Sequence, residues 1–427
     1  MSQAVLTNES RANFRNLYAD VFWFGILAGS TMAFVAIYAA RLGASSFQVS
    51  LLTAGPAVVN LLFSLPAGRW MEGRRLVRVT LWSALWQRSG YLLFIPLPLL
   101  LSSGGQVWAL AGITLLMSLP GTLLAIAFNA VFADLVAPEW RAQVVGRRNA
   151  LLAISMITTS LLCGQVLDRV IFPYNYQIVF ALGALGAGLS CYHLSRLRLA
   201  GEPPPRLRSF SRAISPRGGR RFLEAVRRLF NPRLLSRSDG RSLLRPDLLR
   251  TSYGTFLLAC FVFYMFQYVS IPIYPVFNVN VLQLTDGQIS LGSAFFYTTM
   301  MLASFGLGFL SMRMGHRRVL IAGSLLFGLY PLLIGLAWDA TLFWLASIAG
   351  GFAWGITSGG LLNRLMERTP EDDRPAYMAL HNLSLNLGIL LGSLAGPLLA
   401  ARLGLRDAML VSAGLRFFAG LLFVLWA

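Results

Sequence analysis

Polar and apolar residues in this chain segregate into long blocks. Twelve apolar stretches with few charges run Val21–Ala40, Val49–Ala67, Val79–Leu101, Val107–Val131, Ala150–Leu167, Ile178–Leu197, Tyr253–Val276, Ile289–Ser311, Val319–Trp338, Leu342–Leu362, Leu383–Ala401 and Ala408–Ala427. Helix rises about 1.5 Å per residue, so roughly 20 apolar residues cross a hydrocarbon core about 30 Å thick. The pattern predicts an all-α polytopic membrane protein with twelve transmembrane helices. Most links are short. The exception, Arg198–Arg250, separates a first part, residues 1–197, from a second, residues 251–427. The first twenty residues are polar and carry Glu9, Arg11, Arg15 and Asp20. They lack the apolar run and cleavage site of a signal peptide, so insertion is expected through the helices themselves.

Charge narrows the picture. Of 427 residues 56% are hydrophobic and 12% charged, against roughly 25% charged in a soluble domain. The chain contains no lysine, so its 36 basic residues are all arginine; against 17 acids they give +19. Without lysine there is no Walker A loop, Schiff base or pyridoxal phosphate linkage. A net charge this positive first suggests a phosphate-binding protein, but the placement of the arginines argues otherwise. With a cytoplasmic N-terminus, 30 arginines fall on the cytoplasmic side, 15 of them in Arg196–Arg250. Arg41, Arg169, Arg402 and Arg406 fall opposite, and Arg88 and Arg416 lie within spans. This positive-inside asymmetry predicts a multi-pass protein of the cytoplasmic membrane with both termini cytoplasmic. Nucleic acid is not expected as a partner.

Cys163, Cys191 and Cys260 all lie in spans, and His193, His316 and His381 are scattered. Neither a disulfide framework nor a metal-ligand spacing is present, and no hydrolase motif appears. The expectation is a protein that is not an enzyme and has no cofactor or metal.

The chain repeats itself. Gln48-Val49-Ser50-Leu51 opens the second span and Gln288-Ile289-Ser290-Leu291 the eighth, 240 residues later. The same offset pairs Gly68 with Gly308. Gly73-Arg74-Arg75 and Gly315-His316-Arg317-Arg318 each precede the next span. Pro138-Glu139-Trp140-Arg141 and Pro370-Glu371-Asp372-Asp373-Arg374 precede the fifth and eleventh, offset by 232 or 233. Ordered matches at nearly constant spacing imply two six-helix halves joined by the basic link.

This layout resembles the major facilitator superfamily over essentially the whole chain. That family carries a G-x-x-x-D-R-x-G-R-R signature after its second helix, echoed after the eighth. Here Gly68-Arg69-Trp70-Met71-Glu72-Gly73-Arg74-Arg75 keeps the glycine and an acid, with two residues fewer before the final arginines. Gly308-Phe309-Leu310-Ser311-Met312-Arg313-Met314-Gly315-His316-Arg317 keeps the spacing, with Met312 in place of the acid. The resemblance implies a secondary transporter with a site near the midplane between pseudo-symmetric halves.

Polar residues within spans are the candidates for that site. On the family's inner helices these are Thr31, Asn60 and Gln165, then Tyr264, Gln267, Tyr268, Tyr297, Trp354 and Asn386. Each also reads as an interhelical hydrogen bond. As a set they suit a small neutral or amphipathic solute in a largely apolar pocket. Arg88, about 13 Å into the third span, reads as an anion-recognition residue or as a guanidinium satisfied by a neighbouring helix. Arg416 carries the same two readings. Acids fall near or beyond span ends. Asp20, about one turn into the first span, is the candidate coupling residue; its alternative is a first-turn acid at a helix N-terminus.

The resemblance implies a cytoplasmic gate from Gly68, Glu72, Arg74, Arg75, Asp134, Arg141, Gly308, Arg313, Arg317, Glu367 and Arg374. The same arginines also serve as topology determinants. Gly388, Gly392 and Gly396 form a stripe that permits close helix approach. In the link, Phe222, Leu223, Val226, Leu229 and Phe230 form one apolar helical face beside Arg220, Arg221, Arg227 and Arg228, which suits a helix lying on an anionic leaflet. A monomer in the lipid bilayer acting on a small-molecule substrate is expected. The rival expectations are a lipid or lysolipid translocator and a non-transporting membrane sensor or enzyme.

Overall fold

A computed structural model describes residues 8–71, 74–199, 245–370 and 373–426. Most of the basic link, including the expected amphipathic helix at 222–230, lies outside the described residues. So does Glu72.

The described chain is a bundle of twelve helical segments. In order they are α1 Asn8–Arg41, α2 Ser46–Met71, α3 Leu76–Ser89, α4 Ser103–Leu135, α5 Pro138–Arg169, α6 Tyr174–Ser195, α7 Ser252–Asn280, α8 Asp286–Met314, α9 His316–Leu336, α10 Ala340–Glu367, α11 Arg374–Leu403 and α12 Leu405–Trp426. Eleven of them are long and apolar enough to cross a membrane. The exception is α3, where the α-helical ladder gives way to a 3-10 stretch Gly90–Phe94 and a short helix Leu97–Leu100. Pro96 and Pro98 lack an N–H and limit any longer helix there. The chain also breaks before Pro272 in α7 and at Gly328 in α9. A π turn, Ala28–Met32, interrupts α1.

The helices run well past the apolar stretches at the end that collects the arginines. For example, α1 begins at Asn8, thirteen residues before the apolar run that starts at Val21. Polar first turns are stable there because the helix continues an apolar segment already packed in the bundle.

Packing reproduces the sequence repeat pair by pair. In the first half α1 packs on α5 and α6, α2 on α4, and α3 on α4 and α6. Advancing every number by six gives the second half: α7 on α11 and α12, α8 on α10, and α9 on α10 and α12. The halves meet along two long seams, α2 against α11 and α5 against α8, which exchange under the same operation. A third contact joins the ends of α1 and α7, Ala33–Arg41 against Ile273–Asn280.

The glycine stripe of α11 sits on α7. A methyl group on Gly392 would overlap the Met265 carbonyl oxygen, and one on Gly396 that of Val269. The stripe therefore allows backbone contact between the two helices.

Candidate functional site

Polar contacts between the halves concentrate at the arginine-poor end. Asp286, the first residue of α8, is buried there. Its carboxylate accepts from Arg41 Nε at 3.2 Å and Nη2 at 3.1 Å, and from the Tyr176 hydroxyl at 2.9 Å. Arg41 Nη2 also donates to the Leu284 carbonyl at 2.6 Å. Three elements thus converge on one acid: the end of α1, the start of α6 and the start of α8. Alongside, Asp168 at the end of α5 accepts from Thr285 Oγ1 and from the Gly287 amide, both at 3.0 Å. Local chemistry fixes this corner. Thr285 caps α8 in a reciprocal capping box with Gln288, which satisfies the Thr285 and Gln288 amides, and Asp168 takes the Gly287 amide beside them.

The two seams differ further along. On α2–α11, Thr53 Oγ1 donates to Ser393 Oγ at 3.1 Å, and Asn382 Nδ2 to Ser64 Oγ at 3.1 Å. That seam is tied at two points, Thr53 and Ser64, eleven positions apart along α2. On α5–α8, Ser290 Oγ donates to the Ser160 carbonyl at 2.6 Å, and Gly164 lets α8 approach. Beyond Met156, toward the arginine-rich end, the seam opens into a cavity of about 420 Å³. Met156, Met300, Met301 and Phe305 make it apolar, with Asn149 and Ser304 as polar contacts.

At the arginine-rich end the expected gate residues bond within their own halves. Arg74 stacks on Trp70 and donates to its carbonyl. Arg141 donates to the carbonyls of Val136 and Ala133. Arg313 stacks on Phe309 at 4.4 Å. Arg317 donates to the Val424 carbonyl at 2.7 Å, and Glu367 accepts from Arg364 at 2.8 Å. Arg75, Asp134 and Arg374 are exposed. A Cβ on Gly68 or Gly308 would meet open space. The described structure thus ties the α5–α8 seam at the arginine-poor end, while Arg74, Arg141, Arg313, Arg317 and Glu367 make the contacts above within their own halves.

Asp20 needs a correction. It is the thirteenth residue of α1, about 18 Å from the helix start, and is neither a first-turn acid nor exposed. Its Oδ1 accepts a short hydrogen bond from Ser190 of α6 and lies 3.7 Å from Arg88 Nη1. Oδ2 lies 3.8 Å from Arg148 Nη2. The expectation that all acids sit at span ends fails because α1 extends past its apolar run. Arg88 has this internal counter-ion, together with the Cys191 sulfur at 3.7 Å and the Phe24 ring. Arg148, one of the 30 arginines counted on the cytoplasmic side, is eleven residues into α5, with its guanidinium over Phe128 at 4.6 Å and Phe132 at 5.4 Å. Arg416 matches its packing alternative. It donates to the Gln267 carbonyl at 2.8 Å and to Ser270 Oγ at 2.6 Å, beneath the Phe327 ring.

The candidate ligand residues divide by half. Thr31 is fully buried at the π turn against Gly183 of α6. Asn60 is engaged by Thr122 of α4 at 2.5 Å, while Gln165 is exposed. In the second half Tyr264 and His381 share a hydrogen bond of 3.0 Å. Asn386 donates to the Asn382 carbonyl at 2.8 Å, next to the bond from Asn382 to Ser64. Trp354 lies 5.1 Å from Phe327, ring centre to ring centre. Tyr268 and Tyr297 are half-buried, and Gln267 is buried beside Arg416. His381, Asn382, Ser64 and the corner around Asp286 were not singled out from sequence. Arg41 carried a usable signal as one of four arginines on the charge-poor side.

Among the described residues no group of three or more metal-ligating side chains occurs. The family description Major Facilitator Superfamily matches residues 21–270 and 256–427. No curated protein matches the chain. Among solved structures, the nucleoside transporter NupG superposes with a TM-score of 0.67 at 12% identity, over 97% of this chain and 98% of that one. The peptide transporter POT in complex with sulfate superposes at 0.66 and 14% identity, over 97% and 94%. The xylose transporter XylE from E. coli, in a partially occluded inward-open conformation, does so at 0.62 and 12%, over 97% and 98%. At these identities the likeness is one of fold, while the family match spans nearly the whole chain. With its paired six-helix halves and their two equivalent seams, the chain belongs to the Major Facilitator Superfamily.

Proposed function

We propose that the protein is a secondary transporter that moves a small neutral or amphipathic solute by alternating access, seen here closed at its arginine-poor, outward end. The single observation that carries this reading is the contrast between the two ends of the α5–α8 seam. Asp286 and Asp168 tie the halves together at one end, and a cavity separates the same helices at the other. Two states that exchange which end is tied are what a carrier needs, and differential affinity for them sets direction.

The solute contacts proposed are Tyr264, Tyr268, Tyr297, Trp354 and Asn386. Aromatic faces with one amide fit an uncharged or amphipathic ligand. Asp20 remains the proposed coupling residue; its burial against Arg88 and Arg148 ties any change in its charge to the packing of α1, α3 and α5. On this reading both termini are cytoplasmic and the monomer is the working unit.

A second reading, a lysolipid translocator, is favoured by the apolar lining of the α5–α8 cavity, which faces the arginine-rich side. Reconstitution into liposomes separates the readings. Uptake of nucleosides, sugars or peptides supports the first, and movement of a fluorescent lysolipid between leaflets supports the second. Binding without flux of either overturns both and points to a sensor. Flux indifferent to a pH gradient removes Asp20 from coupling.

A further inference from the structure

A cleft of about 820 Å³ lies between the start of α1 and the end of α6, on the arginine-rich side of the bundle. It lies apart from both seams. Its charged lining is three guanidiniums, Arg15, Arg196 and Arg198, against one carboxylate, Glu9. All four side chains are exposed.

The floor is built. Asn13, 4% exposed, donates to the Arg198 carbonyl at 2.8 Å and accepts from the Arg198 amide at 3.0 Å. This pair of hydrogen bonds fixes the chain leaving α6 against α1 and sets where Arg198 departs. Asn16 and His193 make a further contact across the cleft at 3.2 Å. The Tyr192 hydroxyl accepts from Arg196 Nη2 at 2.8 Å, and that guanidinium stacks over the ring at 4.9 Å. Arg196 is thus held in place with donors to spare, and guanidinium donors match phosphate oxygens.

The bilayer side of the cleft is apolar. Leu185, Gly188 and Tyr192 are exposed at spacings of three and four along α6, and so is Phe22 on α1. Spacings of three and four put the α6 residues on one helix face. Tyr192 therefore sits where an apolar stripe meets a basic cleft, as interfacial aromatics do.

We propose that this cleft binds the phosphate headgroup of an anionic phospholipid from the leaflet at the arginine-rich end, with its acyl chains along Phe22, Leu185 and Gly188. Basic pockets between helices at headgroup depth select anionic lipids over zwitterionic ones. A bound lipid would bridge α1 and α6 from outside the half.

The test uses the full-length protein in detergent, titrated with phosphatidylglycerol, phosphatidylcholine or inorganic phosphate and read by native mass spectrometry. Phosphatidylglycerol is expected to bind at least tenfold more tightly than phosphatidylcholine. The variant Arg15→Gln/Arg196→Gln/Arg198→Gln is expected to lose that preference. The variant Arg78→Gln/Arg147→Gln/Arg318→Gln removes the same charge elsewhere and is expected to keep it. Equal loss in both variants, or no loss in either, overturns the proposal. Displacement of the lipid by inorganic phosphate at equal concentration also overturns it, because the apolar stripe would then contribute nothing. Should the triple variant fail to fold, Leu185→Ser and Arg196→Gln serve singly, each expected to weaken lipid binding at least threefold.

Discussion

Replacing Asp286 with asparagine keeps the shape of the side chain and removes its charge. The carboxylate is 8% exposed and accepts two bonds from Arg41 and one from Tyr176. Hydrogen bonds to a charged partner contribute about 1.5–3 kcal/mol each when isolated, but Arg41 is 27% exposed and keeps its bond to Leu284, which reduces the loss. Taking about 2 kcal/mol, the equilibrium between the state closed at the arginine-poor end and an alternative open there shifts about 30-fold toward opening. The readout is a spin-label distance at the arginine-poor end. Labels at Ile171→Cys and Leu403→Cys report on opposite halves, with Cys163, Cys191 and Cys260 replaced. In the parent one short distance should dominate. In Asp286→Asn a longer distance should become a major population. A distribution unchanged by Asp286→Asn would refute the reasoning, because the bonds on this acid would then not hold the end closed.

Asp20→Asn leaves Arg88 and Arg148 facing each other without their shared anion. Breaking a buried pair costs about 3–5 kcal/mol, so the melting temperature of the purified protein should fall markedly. Adding Arg148→Gln should recover part of the loss, and full additivity of the two would count against a shared cluster. Arg416→Met should do the opposite, because Nε and Nη1 of Arg416 are buried without partners; thermal unfolding should show no loss or a gain. Gly392→Val forces a branched side chain into the Met265 carbonyl and should destabilise by more than about 2 kcal/mol, read as reduced folded yield. If the proposed ligand set is right, Tyr264→Phe raises the apparent KM of transported solute severalfold while Asn60→Ala, on the α4 side, leaves it unchanged.

The spans were legible because nothing but membrane helices needs so many uninterrupted apolar residues. The halves were legible because the repeat survives at the span boundaries, around Gln48 and Gln288 and around Arg74 and Arg317. Helix starts were not, since hydropathy marks where lipid begins and the backbone ladder continues beyond it. That one gap misplaced Asp20. The corner at the arginine-poor end was illegible for a different reason. Arg41 and Asp286 are separated by 245 positions, and Tyr176 and Asp286 by 110. No local pattern links them, and each reads alone as an ordinary end-of-helix charge. Of the first-half ligand candidates, Thr31 is buried against α6, Asn60 is half-buried and bonded to Thr122, and Gln165 is exposed. Residue type does not tell which side of a helix faces the seam.

The π turn in α1 bears on how one helix serves two partners. Asp20 and Arg41 are 21 residues apart. In an unbroken α-helix, at about 100° per residue, they would point within about 60° of each other. A π turn takes up one extra residue and sets back everything beyond it by about another 100°. Asp20 and Arg41 then project from nearly opposite sides, at about 160°. The lower stretch of α1 can therefore keep its acid inside the first half while the upper stretch hands its arginine to the second. Deleting one residue between Ala28 and Met32 would leave the two 20 residues apart in a straight ladder, at the same angle of about 160°, so Arg41 would keep its aim at Asp286 while the π turn disappeared. The π turn thus absorbs one surplus residue, about three turns of helix from either charge, without spoiling the aim of the clasp at the arginine-poor end.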